Sequence, residues 1–303
     1  MSVDVIVPAY NAALTIERTL ASIAWQTHTN FHCYVIDDCS LDGTVEAVEA
    51  FAAKDDRFTL VTSVVRRYVA AARNAGATYG QAPWLAFCDA DDTWYPSKLK
   101  YQLQALATQR AQAVLSAVKV EYPTAGEYTA GVKIKPDYFR PENLVGRLLS
   151  FNMAVCGSNL MVDRVAFDRV GRLDPEIAPS DDYDILFKLA HDGVRFAYDS
   201  RPGLIYHRNL ESITQTEVPT ATYYHQKCVD RWCKATGLSD DLFRDWALNL
   251  NEHLFAAPSR LENSRLGAKA RKFFAYPYQS YRSLEEFLKA DVEPLPPREE
   301  DEE

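Results

Sequence analysis

Over its first 120 residues the chain repeats one pattern: a short apolar run rich in Val, Ile and Phe, then a segment whose apolar positions recur three and four residues apart. The runs are VDVIVP (3–8), FHCYVID (31–37), FTLVTS (58–63), PWLAFCD (83–89) and AVLSAVKV (113–120), each of strand length and composition. Between them, DGTVEAVEAFAAK places Val45, Val48 and Phe51 on one helical face, and LTIERTLASIAW and SKLKYQLQALA behave similarly. Alternating strands and helices in short units predict an α/β fold with a mostly parallel, Rossmann-like sheet carrying helices on both faces.

Ligands of open α/β sheets sit in the crevice at the carboxyl ends of the strands. The polar residues fall there: Pro8-Ala9-Tyr10-Asn11 closes the first run, Asp37-Asp38 the second, and Asp89 to Asp92 the fourth. Beyond the alternating region, short helices are predicted at PENLVGRLLS, DRVAFDRVG and DYDILFKLAHDG. From about residue 219 the periodicity is helical, which divides the chain into a domain over 1–218, a helical extension over 219–290 and an acidic, Pro-rich, disordered tail over 291–303.

Of the 303 residues, 47% are apolar and 25% charged, enough for a sizeable core, and the net charge of −9 argues against a nucleic-acid partner. Six cysteines without CxxC pairs read as reduced thiols of a cytoplasmic protein. No secretory leader and no long uninterrupted apolar stretch is evident, so the expectation is a soluble protein, at most peripheral to the inner face of a membrane.

Within AFCDADDTWYPSKL, Asp89, Asp91 and Asp92 crowd directly behind an apolar run. Two carboxylates about 5 Å apart repel by ~3 kcal/mol at an effective dielectric of 20. The chain relieves this by splaying the side chains into water or by binding a cation. Hard carboxylate oxygens suit Mg²⁺ or Mn²⁺, which are held by one or two carboxylates plus substrate phosphates. Asp92 is placed either to cap the following helix or to orient Asp91. Asp38 serves its turn or accepts a hydrogen bond from a base or sugar, and Arg73 is either a surface residue or a fixed cation beside the acids, suited to binding a phosphate or a base of a nucleotide sugar.

VDVIVPAYNAALTIERTLASIAWQT, VIDDCSLDGT and ARNAGATYGQAPWLAFCDADDTWYPSKL, in this order and spacing, resemble the family 2 glycosyltransferases of the GT-A fold. The likeness is strong over residues 3–100 and continues more loosely through GSNLMVDRVAFDRVGRLDP, SDDYDILFKLAHDG and YHRNLESIT to about 215. It implies a nucleotide-sugar-dependent, metal-assisted, inverting enzyme. Pro8, Ala9, Tyr10, Asn11 and Asp38 would hold the base and ribose. Asp89, Ala90 and Asp91 would form the D-x-D that reaches the ribose and the metal, with Arg73 beside it. SDDYD resembles the family's Glu-Asp motif, which makes Asp182 the catalytic base with Asp181 as its neighbour, and His207 matches a histidine near the metal or diphosphate. The chain departs from the family in having Cys39 where Gly is frequent and Asp181 where Glu is frequent.

Chemistry agrees with that division of labour. Charge builds on the leaving diphosphate, which a divalent cation stabilises. The acceptor hydroxyl must lose its proton on the opposite face of the sugar, which calls for a carboxylate from a different segment. In QKCVDRW, Gln226 lies too far from Arg231-Trp232 for the motif of processive synthases, so transfer of one sugar to a saccharide or lipid-linked acceptor is expected.

A nucleotidyltransferase is disfavoured because PAYNAALTI has neither a Gly nor a basic residue; a degenerate nucleotide-sugar binding module is the remaining alternative. The basic, aromatic stretch with Arg260, Arg265, Lys269, Arg271, Lys272, Phe273, Phe274 and Tyr276 offers a peripheral contact to an anionic membrane; a solvated helix face is the plainer account.

Overall fold

The computed structural model describes residues 1–121, 156–207, 224, 227–232 and 234–235. In chain order the strands are β1 (Val3–Ala9), β2 (Phe31–Asp37), β3 (Phe58–Thr62), β4 (Trp84–Phe87), β5 (Thr93–Trp94), β6 (Ala113–Glu121), β7 (Met161–Asp163) and β8 (Phe196–His207). The helices are α1 (Ile16–Ala24), α2 (Thr44–Ala52), α3 (Tyr68–Gly76), α4 (Lys98–Gln109), α5 (Arg164–Arg169) and α6 (Asp181–His191). The expected helix PENLVGRLLS, the boundary near 218, the tail and the basic aromatic stretch lie outside the described residues. Of the extension, the described residues 224, 227–232 and 234–235 are helical.

One eight-stranded sheet runs in the order β3-β2-β1-β4-β7-β6-β8-β5. The β3-β2-β1-β4 half is parallel, and β6 pairs parallel with β8. β7 lies antiparallel between β4 and β6, and β5 runs antiparallel to β8, so the sheet is mixed. β5 and β7, of two and three residues, are too short to carry a readable alternation.

β1 is buried on both faces, as a central parallel strand must be. Val3, Val5 and Val7 pack with Ile16, Leu20 and Ile23 of α1, while Ile6 points to the opposite core with Ile36 and the alanines of α3. α3 lies close to the sheet at Gly76, where a β-carbon would collide with Ile6 Cγ2. That approach, together with buried Ala70 and Ala72, seats the next buried residue of the helix, Arg73, inside the protein. α6 inserts Ile185, Leu186, Phe187 and Leu189 into the same core, which fixes its acidic first turn at the sheet's edge.

Candidate active site

The loops after β1 and β2 are stitched together by short polar side chains. Asn11 N–H donates to Ser40 Oγ at 3.0 Å, Leu41 N–H to Asn11 Oδ1 at 2.9 Å, Ala12 N–H to Thr44 Oγ1 at 2.7 Å and Ala13 N–H to Asp42 Oδ2 at 3.0 Å. Asn11 and Cys39 both hold left-handed backbone, at φ 49° and 68°. The turn at Cys39 thus keeps the conformation that favours glycine, and its thiol donates to Ser63 O at 3.1 Å. Pro8 and buried Ala9 end β1, where Ala9 O accepts from Asp38 N–H at 2.8 Å.

Asp38 is buried, and its two carboxylate oxygens accept the backbone N–H groups of Arg67, at 2.6 Å, and Tyr68, at 2.7 Å. It therefore anchors the start of α3; each oxygen retains a lone pair for a further donor. Tyr10 is exposed beside it, with the Arg66 guanidinium over its ring.

Arg73 is the hub. It is 4% exposed, and it joins two distant segments of the chain: Nη1 donates to Asp181 Oδ2 at 2.7 Å and Nη2 to Asp89 Oδ1. Burial opposes the cation, yet Asp89 and Asp181 more than offset it and raise the guanidinium's pKa. Gly157 lies against the guanidinium, where any β-carbon would collide with it. Arg73 thus stands beside the acids, with both terminal nitrogens held by carboxylates.

The crowded acids separate into different environments. Asp92 is fully buried: Ser158 Oγ donates to Oδ2, and His207 N–H donates to Oδ1 at 3.3 Å. The same Ser158 hydroxyl accepts Asp89 N–H at 2.8 Å, so one serine braces both ends of the acidic turn. Thr19 of α1 closes the turn from the other side by donating to Ala90 O at 3.0 Å and Asp92 O at 2.8 Å. Asp92 thus orients the turn and does not cap α4. Asp91 is partly exposed, and its carboxylate has no hydrogen-bond or ion-pair partner among the described residues. Burial, then the Asp89 charge, push its pKa up to about 6.

Across the crevice, Asp181 is held by Arg73, while Asp182, partly exposed one residue later, has no side-chain partner among the described residues. Burial and then the adjacent Asp181 charge push the Asp182 pKa up to about 7. His207 has both ring nitrogens engaged, Nε2 with Thr93 Oγ1 at 2.9 Å and Nδ1 with Glu121. Burial lowers its pKa, so its neutral form is favoured.

Among the described residues, no group of three or more His, Cys, Asp or Glu is assembled into a site that holds a metal unaided. Asp89 and Asp91 fit the other arrangement, in which carboxylates supply part of the shell and substrate phosphates the rest. Asp91 has no ion-pair partner among the described residues, and burial and the Asp89 charge raise its pKa, while Asp89 already has Arg73 on one of its oxygens. His207 joins such a site only by releasing Thr93 or Glu121.

Sequence reasoning missed Ser158, Thr19 and Arg66. Ser158 and Thr19 act through single hydroxyls contributed by distant elements, and Arg66 sits in a loop without a motif.

A mixed α/β sheet with an acidic turn at the end of its fourth strand, faced by a second acidic pair on a helix, defines the GT-A class of glycosyltransferases. The chain belongs to Glycosyl transferase family 2, whose family model matches residues 4–171. A Haemophilus influenzae glycosyltransferase is 25% identical over 290 residues, covering 94% of this chain and 92% of its own. The Escherichia coli UDP-Glc:alpha-D-GlcNAc-diphosphoundecaprenol beta-1,3-glucosyltransferase WfgD is 36% identical over 104 residues, 34% of this chain and 40% of its own. The fold is shared with Staphylococcus aureus TarS 1–349 in complex with UDP-GlcNAc, at TM-score 0.65 and 18% identity over 89% of this chain and 78% of that one. It is shared also with the Pyrobaculum calidifontis mannosyltransferase PcManGT bound to GDP-Man and Mn²⁺, at TM-score 0.57 and 22% identity over 90% of this chain and 79% of that one. No helix among the described residues is long and apolar enough to cross a membrane.

Proposed function

We propose that this glycosyltransferase moves one sugar from a UDP-linked donor to the hydroxyl of a lipid-linked saccharide, with inversion, in the assembly of a polysaccharide or glycolipid. The observation that carries the reading is the division between Asp181 and Asp182. Asp181 is ion-paired with Arg73, which leaves Asp182 as the one carboxylate on the first turn of α6 without a side-chain partner among the described residues, with its pKa pushed up to about 7. A general base works best when its pKa lies near the working pH. Asp182 takes the proton from the acceptor hydroxyl as the oxygen attacks the anomeric carbon, and Asp181 with Arg73 holds that helix end in place. Asp38, Tyr10 and Asn11 receive the nucleoside.

Asp89 and Asp91 would hold Mn²⁺ or Mg²⁺, which supplies Lewis-acid stabilisation of the diphosphate's departing charge. The acceptor class is drawn from relatives such as WfgD, whose name describes a diphosphoundecaprenol-linked GlcNAc acceptor.

The test is release of UDP from UDP-glucose and UDP-GlcNAc in the presence of Mn²⁺ and a polyprenyl-diphosphate-linked GlcNAc, with the product's anomeric configuration read by NMR. Acceptor-dependent release that Asp182→Asn removes supports the reading. Donor binding without release from any donor and acceptor pair would turn the protein into a binding module.

A further inference from the structure

Lys98 opens α4 inside the protein, 2% exposed. Its Nζ donates to Gln102 Oε1 at 2.7 Å, one turn along the helix, and lies over the Trp94 ring, 4.3 Å from the centroid. No carboxylate pairs with it among the described residues. Burial disfavours a cation without a counter-charge, and the positive end of a helix disfavours it again. Burial accordingly pushes the Lys98 pKa down to about 7. The nitrogen donates to Gln102 in either protonation state.

What this placement achieves is read at the other end of the Gln102 amide. Because Nζ turns Oε1 toward itself, Nε2 is left to donate to Asn159 O at 3.0 Å. Asn159 ends the short turn Gly157–Asn159, and its side chain is already engaged with β6. Oδ1 accepts from Ser116 N–H and Ser116 Oγ, both at 2.9 Å, and Nδ2 donates to Ser116 O at 3.0 Å. The turn is therefore fastened to β6 by the Asn159 amide and to α4 by the Gln102 amide. On that same turn stands Ser158, whose hydroxyl accepts from Asp89 N–H at 2.8 Å and donates to Asp92. Lys98, Gln102, Ser158 and Asn159 are all buried, where hydrogen bonds are electrostatically stronger than in water.

We propose that Lys98 is a positioning residue for the diphosphate end of the donor site. It orients the Gln102 amide, Gln102 fixes Asn159, and Ser158 on the same turn holds Asp89 where the metal and diphosphate are received. This rests on the nucleotide-sugar reading above. Lys98 touches neither substrate nor metal; it acts through Gln102 and the Ser158 turn. A side chain needed only to fill that part of the core would serve better as an apolar residue of the same size.

Two variants cut this relay at different links. Lys98→Met keeps most of the side chain's length and removes the donor to Gln102. Gln102→Glu gives Lys98 a carboxylate to pair with, and removes the donor to Asn159 O. Calorimetric titration with UDP plus Mn²⁺ and with uridine is made on the full chain and on each variant, with circular dichroism to check the fold. Each variant is expected to weaken UDP plus Mn²⁺ about fivefold, the equivalent of one net hydrogen bond. Uridine, which carries no diphosphate, is expected to bind each variant as it binds wild type.

Unchanged binding of UDP plus Mn²⁺ by folded Lys98→Met overturns the proposal. So does an equal loss for uridine, which would make Lys98 a support of the core as a whole. Where Lys98→Met does not fold, Gln102→Glu decides alone, because its carboxylate keeps Lys98 countered; binding as in wild type would break the relay. If wild type itself binds no nucleotide with Mn²⁺, the donor reading falls, and Lys98 is left with nothing to position.

Discussion

Arg73 and Asp181 are joined at 2.7 Å across 108 residues of sequence, and both are buried. The contact ties α3, pressed on the sheet at Gly76, to the first turn of α6, and the other arm of the guanidinium reaches Asp89. One cation therefore balances carboxylates from both halves of the site. Removing it leaves two acids facing each other without a counter-charge. Arg73→Ala should lose about 3 kcal/mol of stability at pH 7, as for a buried pair stripped of one partner. Urea denaturation measures it. Asp181→Asn, which keeps a hydrogen-bond acceptor for Nη1 and relieves Asp182 of a like charge, should cost less. Equal stability of Arg73→Ala and wild type would mean the guanidinium does not hold the two segments.

On the proposed role of Asp182 as the base, one proton links catalysis to stability. An aspartyl carboxyl titrates near ~3.9 in an unfolded chain, whereas burial and the Asp181 charge put Asp182 at about 7 in the folded protein. Between those values the folded protein binds the extra proton, so this group's contribution to stability falls as pH rises from ~4 to ~7. Activity runs the other way, because only the ionised form accepts the acceptor's proton. The expected result is a kcat/KM that climbs through an apparent pKa near 7 while the unfolding free energy declines over the same interval. Asp182→Asn should lower kcat by at least ~10²-fold and stabilise the protein by about 2 kcal/mol at pH 8. Thermal melts from pH 5 to pH 8 alongside the pH–rate profile decide it; a variant with unaltered pH dependence of stability would remove Asp182 from the account.

Most of the parallel half of the fold, and the acids at its strand ends, are legible in the sequence. The reason is that β1 and β4 are buried on both faces, β2 is buried on one and half-buried on the other, and amphipathic helices flank them, so period and composition agree. β7 and β5 are not legible, since two or three residues carry no period, and β8 mixes buried Phe196 and Leu204 with exposed Ser200, Arg201 and Pro202. In the site, the carboxylates announce themselves by crowding. Their separation into a buried, braced Asp92 and an unpartnered Asp91 does not, because it depends on Ser158 arriving from 66 residues away. The same holds for Asp181 and Asp182: adjacent identical residues acquire different roles only because Arg73 reaches one of them.

Asp91 is the acid with the most to gain from a cation. Its raised pKa, about 6, means that metal binding must release its proton in mildly acidic solution. Mn²⁺-dependent UDP binding should accordingly weaken as pH falls below 6, and chelator should abolish most of it at every pH. Asp91→Ala should remove the metal-dependent part of UDP binding with the fold intact, since no group among the described residues pairs with that carboxylate. Titration calorimetry with Mn²⁺ and with chelator measures both, and circular dichroism checks the fold. Unchanged metal-dependent binding would sink the assignment.

Ser158 braces the acidic turn with a single hydroxyl that accepts from Asp89 N–H and donates to Asp92. Ser158→Ala leaves a half-buried N–H and a buried carboxylate each short of a partner. The expected loss is about 2 kcal/mol, the magnitude of an unsatisfied buried polar group. A structural serine would give only that. A serine that also sets the position of Asp89 should raise KM for the donor more than it lowers kcat, which steady-state kinetics of the variant separates.

Trp232 brings part of the helical extension onto α6. Its Nε1–H donates to buried Asp184 Oδ1 at 2.8 Å, and its ring stacks on Phe187 at 5.3 Å with an interplanar angle of 13°. Arg231, beside it, pairs with Asp174 at 2.8 Å just ahead of α6. Asp184 is 0% exposed and one turn from the acidic pair, so its partners fix the register of that helix end. Trp232→Phe keeps a ring for Phe187 and removes the N–H, leaving Asp184 with Lys188 at 3.3 Å and Arg231 at 3.6 Å. The charge stays countered, so the expected cost is about 1–2 kcal/mol and not the larger penalty of a stripped pair. Trp232→Ala removes the stack as well and should cost about 4 kcal/mol, as for a large buried aromatic. Chemical denaturation of the two variants tests this. If Trp232→Phe is as stable as wild type, the contact from the extension to α6 is apolar packing alone.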